Sequence, residues 1–292
     1  MLEGVTYVHE HITIDLSEGK QDPDCKLDAM ADTIEEFVAL KAAGVVKVVD
    51  VTNRGMGRSV DYVKKVQAAS GVNILVSTGF YKEPFLPPEV YSCSEKELAA
   101  IMVREILRGI DETEVKAAVI GEIGTGQGEI SAVEKKVFAA AARAHSETGR
   151  PITTHTTLGR LGIEQIKLLK SLGVDLARVV IGHVDLSQDV DYVLRLIDRG
   201  AYVAFDTVGK KNYVPDEERA AMLAEICNRG LATRVMLSMD ITRKSHWKNN
   251  GGLGYSYLAE CFVPYLKTQG ISTSDCDAML INNPALVFGE GM

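Results

Sequence analysis

Cross-links, membrane spans and basic clusters are what this 292-residue sequence lacks. Its five cysteines (Cys25, Cys93, Cys227, Cys261 and Cys276) form no CxxC pair, and an odd number in a long chain fits free thiols better than a disulfide framework. A reducing, cytoplasmic setting is expected. No apolar run approaches the roughly 18 residues of a membrane helix. The start, Met1-Leu2-Glu3-Gly4, has no basic stretch of the kind that opens a secretory signal, so no membrane partner is expected. Lysine and arginine occur in nothing longer than pairs, and 32 of them against 40 acidic residues leave a net charge of −8, which argues against nucleic acid. Aromatic residues are only 6% and form no cluster suited to an apolar-ligand carrier. A small-molecule partner is the expectation that remains.

What is present is a repeat. Eight short apolar, β-branched runs recur: Thr6–His11, Val45–Thr52, Asn73–Thr78, Lys116–Glu122, Pro151–Thr156, Val179–His183, Ala201–Asp206 and Arg234–Asp240. Before each of the last seven stands a glycine placed to end a helix: Gly44, Gly71, Gly109, Gly149, Gly173, Gly200 and Gly230. The spacings, 27, 38, 40, 24, 27 and 30 residues, each hold one helix and one strand and leave no room for a separate domain. Ser94-x-x-Glu97 and Ser131-x-x-Glu134 match capping boxes that start helices. The strands are near-continuous apolar runs, as parallel strands covered on both faces are. Eight strand–helix units in one chain predict an α/β fold, a single (β/α)8 TIM barrel domain spanning residues 1–292, near the usual length of about 250. The open dinucleotide fold is the competitor, but no GxGxxG follows the first strand. Gly124-Thr125-Gly126-Gln127-Gly128 lacks the Lys-Ser/Thr of a phosphate loop and is read as a loop after strand four.

Four of the six histidines fall at predicted C-terminal strand ends, where such barrels place their chemistry. His9 and His11 share one face of strand one, because side chains alternate along a strand, whereas Glu10 turns away and is read as structural. His155 ends strand five and His183 strand six; His145 lies late in a helix and His246 in a loop. Glu122 closes strand four and Asp240 strand eight. Four imidazoles and two carboxylates on one rim, without thiolates, are too many for one tetrahedral zinc. They suit two divalent ions sharing a carboxylate. Glu122 lies between the other groups around the ring and is the bridging candidate.

The set His9-Glu10-His11, Thr52-Asn53-Arg54, Thr78-Gly79-Phe80-Tyr81, Glu122-Ile123-Gly124-Thr125, Gly149-Arg150-Pro151-Ile152, Thr154-His155-Thr156, Gly182-His183, Leu237-Ser238-Met239-Asp240-Ile241-Thr242-Arg243 and Asn283-Pro284 resembles the phosphotriesterase-related branch of the amidohydrolase superfamily. The resemblance implies that His9, His11 and Asp240 hold the more buried ion and His155 and His183 the more exposed one. Glu122 and a hydroxide bridge them, and zinc is the usual ion. It also implies hydrolysis of an ester or lactone, phosphorylated or otherwise anionic, with Asp240 as the catalytic proton acceptor. Two departures stand out. True phosphotriesterases carry a carboxylated lysine where this chain has Glu122. Organophosphate-hydrolysing relatives follow the strand seven Asp with a relay His, whereas this chain reads Phe205-Asp206-Thr207. Asp185 and Asp206 are placed either to support the metal ligands or to cap helices.

Substrate contacts are less legible. Tyr81, Lys82, Arg54, Arg243, Lys244 and Lys210-Lys211 follow predicted strand ends, with Arg243 and Tyr81 the preferred substrate-binding residues. The rival readings are a metal-containing binding protein without turnover and a phosphoesterase; a single bound ion would point to a deaminase-like member of the superfamily. The length permits a monomer or a homo-oligomer.

Overall fold

Eight parallel strands form in the order that the glycine spacing predicts, each hydrogen-bonded to its sequence neighbours, in the computed structural model, which describes residues 4–289. They are β1 (Val5–Glu10), β2 (Val45–Asp50), β3 (Asn73–Thr78), β4 (Val119–Thr125), β5 (Ile152–Thr156), β6 (Val179–Ile181), β7 (Tyr202–Phe205) and β8 (Val235–Leu237). Residues Met1-Leu2-Glu3 lie outside the described part. Helices between the strands cover the outer face, including Met30–Ala42, Val60–Ser70, Glu95–Leu107, Ala132–Thr148, Gly162–Ser171 and Asp216–Asn228. Both predicted capping boxes are complete, with Ser94 and Glu97, and Ser131 and Glu134, bonding reciprocally. All seven punctuating glycines carry positive φ, from 68° at Gly149 to 136° at Gly109. The architecture is the α/β barrel expected.

Two layers of core follow from this. Apolar side chains between sheet and helices form the larger cluster. A smaller one joins Val8, Val49, Val119, Val180, Ala204 and Met236 from six different strands, which only the barrel interior brings together. The interior is thus packed, and the open space lies at the rim.

The ends of the first and last strands meet through side chains and one main-chain hydrogen bond. The His9 N–H donates to Ser238 Oγ (3.1 Å) and the Asp240 N–H to the His9 carbonyl (3.2 Å). The Glu10 carboxylate accepts from the Ser238 hydroxyl (2.7 Å), the Met239 N–H (2.7 Å) and the Ile241 N–H (3.1 Å). Glu10 therefore has the structural place that alternation gave it, closing the ring. Burial pushes its carboxyl up to about 7 against the pull of these three donors.

Some strand limits move. β6 stops two residues before His183 and β8 three before Asp240. Both of those residues turn into the left-handed region, at φ 58° and 51°, and leave the ladder. β4 starts three residues later than predicted and runs on through Gly124 and Thr125, which pair with His155 and Thr156. The predicted loop after strand four therefore begins only at Gly126.

Candidate metal centre

Small residues set the positions of the large ones. Gly121 precedes Glu122, and a Cβ there would lie 2.4 Å from the Thr153 carbonyl oxygen. Gly182 precedes His183, and its Cβ would lie 2.3 Å from the Thr154 carbonyl oxygen and 3.0 Å from Asp206 Oδ2. Only glycine lets these backbones approach closely enough to bring the next side chain over the rim. The left-handed conformations of His183 and Asp240 cost energy in non-glycine residues, and such conformations concentrate at functional sites.

All six predicted ligands converge, and Glu122 is central. Its Oε1 lies 2.7 Å from His155 Nδ1, 3.4 Å from His183 Nε2 and 3.5 Å from His9 Nε2; Oε2 lies 3.8 Å from His11 Nε2. Asp240 Oδ1 lies 3.3 Å from His11 Nε2 and 3.9 Å from His9 Nε2. Two candidate clusters result, His9–His11–Glu122 and Glu122–His155–His183, sharing the carboxylate; His9, His183 and Asp240 form a third grouping across them.

The outer hydrogen bonds fix which nitrogen of each ring faces inward. Thr52 donates its one hydroxyl proton to Asp50 (2.6 Å), so its oxygen accepts from His11 Nδ1–H (2.8 Å) and the Nε2 lone pair points to the centre. Thr157 donates to the Thr125 carbonyl (2.7 Å), so it accepts from His155 Nε2–H (3.0 Å), and here Nδ1 points inward. His183 donates Nδ1–H to Asp206 Oδ1 (2.7 Å), which also accepts the His183 backbone N–H (2.8 Å). Asp206 Oδ2 lies 3.1 Å from His9 Nδ1. Asp206 thus stands behind one imidazole of each cluster, the arrangement by which carboxylates orient metal-ligating histidines.

With these tautomers, imidazole lone pairs face carboxylate oxygens, and buried His9 Nε2 has no hydrogen-bond partner. Acceptors aimed at acceptors in a buried site call for cations. Without metal, protons fill that role. Burial alone would depress His183, but the Asp206 carboxylate outweighs it and pushes the ring up to about 10; His9 is raised by the same carboxylate. His155 goes the other way, down to about 4, through burial and the neighbouring His183 charge. Groups with raised pKa hold more protons folded than unfolded, so their stabilisation is full below the ordinary histidine value of about 6.5 and is lost as pH rises towards 10. Chelator-treated protein is therefore expected to melt at progressively lower temperature from pH 7 to pH 10. An unchanged melting temperature over that window would remove His9 and His183 as the coupled groups.

Five of the six, His11, Glu122, His155, His183 and Asp240, border a rim cavity of about 470 Å³, with His9 buried beneath them. Tyr81 lies in its wall, with its hydroxyl 3.2 Å from His155 Nδ1, and burial holds its phenol well above the ordinary range. Arg243 also borders the cavity, but its guanidinium pairs with Asp22 and with Asp24 (3.5 Å). Lys244 pairs with Asp28 (2.6 Å), and Arg54 is tied to Glu89 (3.1 Å) and Glu105 (3.0 Å), away from the cavity lining. Lys210 was grouped with the general rim cations by sequence; in the fold its ammonium contacts Asp240 Oδ2 directly. Asp185 accepts from the fully buried Arg219 (2.7 Å) and from Thr207. His145 donates its Nδ1–H to the Arg150 carbonyl (2.7 Å), so it serves the scaffold.

A parallel eight-stranded barrel with four imidazoles and two carboxylates gathered at one rim is the architecture of a metal-dependent hydrolase. The chain belongs to the phosphotriesterase family, whose model matches residues 2–288, within the amidohydrolase superfamily. It is 51% identical over 285 residues to the phosphotriesterase homology protein of Escherichia coli K12, covering 98% of each chain. The crystal structure of that E. coli protein, complexed with phosphate in its active site, matches with a TM-score of 0.96 over 98% of both chains. A lactonase from Listeria monocytogenes matches with a TM-score of 0.94 at 28% identity, covering 99% of this chain and 95% of that one. The N-acetyltaurine hydrolase of Dictyostelium discoideum is 30% identical over 97% of this chain and 79% of its own length.

Proposed function

We propose that this chain is a binuclear, zinc-dependent hydrolase of esters or lactones that carry an anionic group. The observation that supports it best is the convergence of four oriented imidazoles on one shared carboxylate, Glu122, beside Asp240. In this reading His9, His11 and Asp240 would hold one ion and His155 and His183 the other, with the Glu122 carboxylate available to both. Two such ions, when bound, lower the pKa of water and polarise a carbonyl oxygen. The protein's own part is positional and acid–base. Thr52, Thr157 and Asp206 keep each ring in the tautomer that offers its lone pair. Asp240 accepts a proton at Oδ1, and Tyr81, kept neutral by burial, donates its hydroxyl to the substrate. Arg243 borders the substrate on the other side.

The lactonase likeness supports carbonyl chemistry, and phosphate in the E. coli relative's active site supports an anionic substrate. Metal analysis of the purified protein, followed by a panel of lactones, carboxylic esters, phosphoesters and N-acyl amides, tests the reading. About two ions per chain with turnover of a lactone or ester is the expected result. Two ions with no turnover of any member would favour a binding protein, and preferential phosphoester cleavage a phosphoesterase.

A further inference from the structure

Cations bordering the cavity differ in whether an acid already answers them. Arg243 is held by Asp22 and Asp24, and Lys210 by Asp240. Lys20 and Lys82 also border it, and neither has a carboxylate within 4.0 Å among the described residues. The Lys82 ammonium donates only to the Glu83 carbonyl (3.3 Å) and stands 5.4 and 5.6 Å from the ring centres of Tyr81 and Phe85, which stack on each other.

This cation is placed by the fold. Gly124 has no side chain, and a Cβ there would lie 3.0–3.3 Å from the Lys82 stem, so the stem lies on the end of β4. The turn Ser17–Lys20 sits on Phe85, with Gly19 leaving room for the ring, and carries Lys20 to the same side of the mouth. Burial lowers the Lys82 pKa against the more distant Glu122 and Glu134 carboxylates, and the charge of Lys20 adds to the lowering, so the two ammonium groups share one electrostatic neighbourhood. Two like charges, one of them half-buried with an ordered stem, form a site that an oxyanion stabilises.

We propose that Lys82, assisted by Lys20, forms an anion-binding subsite at the cavity mouth that receives a carboxylate, sulfonate or phosphate carried by the substrate. Lys82 is then the specificity-determining residue. The inference rests on the hydrolase reading, which makes this cavity the substrate site. Calorimetry with butyrate, butanesulfonate and butyl phosphate against neutral butanesulfonamide, on the metal-loaded protein, tests it without turnover. At least one anion is expected to bind about tenfold tighter than the sulfonamide, a difference of about 1.4 kcal/mol. K82M, which keeps the stem on Gly124, should erase most of that preference, and K82R should keep it. K116M, which removes an exposed lysine ahead of β4 at the opposite end of the barrel, should retain the wild-type value. Equal loss in K82M and K116M would reduce the effect to net charge and overturn the proposal. So would anion binding that survives K82M but disappears with chelator, since the anion would then sit on the metal centre. Lys82-dependent binding in a protein that turns over no panel member would uphold the subsite while removing the hydrolase reading.

Discussion

Replacing Glu122 with alanine is expected to abolish paired metal loading, leaving at most about one weakly held ion per chain, and to eliminate turnover. Among the described residues its carboxylate is the only one within 4.0 Å of an inward nitrogen of all four imidazoles. Loss of a group behind a ligand costs roughly 10–100-fold in metal affinity. Loss of the shared ligand itself should exceed that at both positions. Burial alone would raise the Glu122 carboxyl, yet the neighbouring His155, His183 and His9 rings bring it well below the ordinary range, so it is ionised and ready to ligate. Glutamine keeps one oxygen and the shape, and should recover fold but not the second ion. Metal content after dialysis, with circular dichroism to confirm folding, separates the outcomes. Two ions per chain in Glu122→Ala would mean that the clusters do not share a ligand.

Glu122 was legible because its position follows from strand order alone: any side chain at the end of β4 lies between the β1 pair and the β5 and β6 histidines. Glycine spacing and strand alternation report short-range backbone needs, so the eight units, the capping boxes and the place of Glu10 could all be read. Ion pairing is another matter. Arg243 meets Asp22 across 221 residues, and Lys210 meets Asp240 across 30, contacts that depend on loop paths carrying no periodic signal. Lys82 was named among the rim cations but could not be singled out for the same reason, since its freedom is defined by acids that turn out to lie elsewhere. The tautomers were also out of reach: Thr52 and Thr157 each act through a third partner, Asp50 and the Thr125 carbonyl, that settles where the hydroxyl proton goes. One sequence signal was available and unused, the glycine directly before both Glu122 and His183.

Asp240→Asn is expected to lower turnover by about 10²–10⁴-fold, the usual worth of a positioned proton acceptor, while metal content stays near the wild-type level. The ions keep four imidazoles and Glu122, whereas an amide oxygen cannot take up a proton at neutral pH. Lys210 sharpens this expectation. Its ammonium holds Oδ2, leaving Oδ1 towards His11 and His9, so the two oxygens of Asp240 have separate partners. The Lys210 charge, acting against burial, keeps the carboxyl well below its ordinary range, which suits brief acceptance of a proton more than its storage. Onward transfer then needs a partner, and the relay histidine implied by organophosphate-hydrolysing relatives is replaced by Thr207, whose hydroxyl is committed to Asp185. Lys210, whose ammonium has no lone pair to take that proton, instead holds Asp240 Oδ2 in place, and Lys210→Met is expected to slow turnover without reducing metal content. If Asp240→Asn kept full turnover with both ions in place, Asp240 would be a ligand only, and the proton would have to leave through Tyr81 or directly to solvent in the cavity.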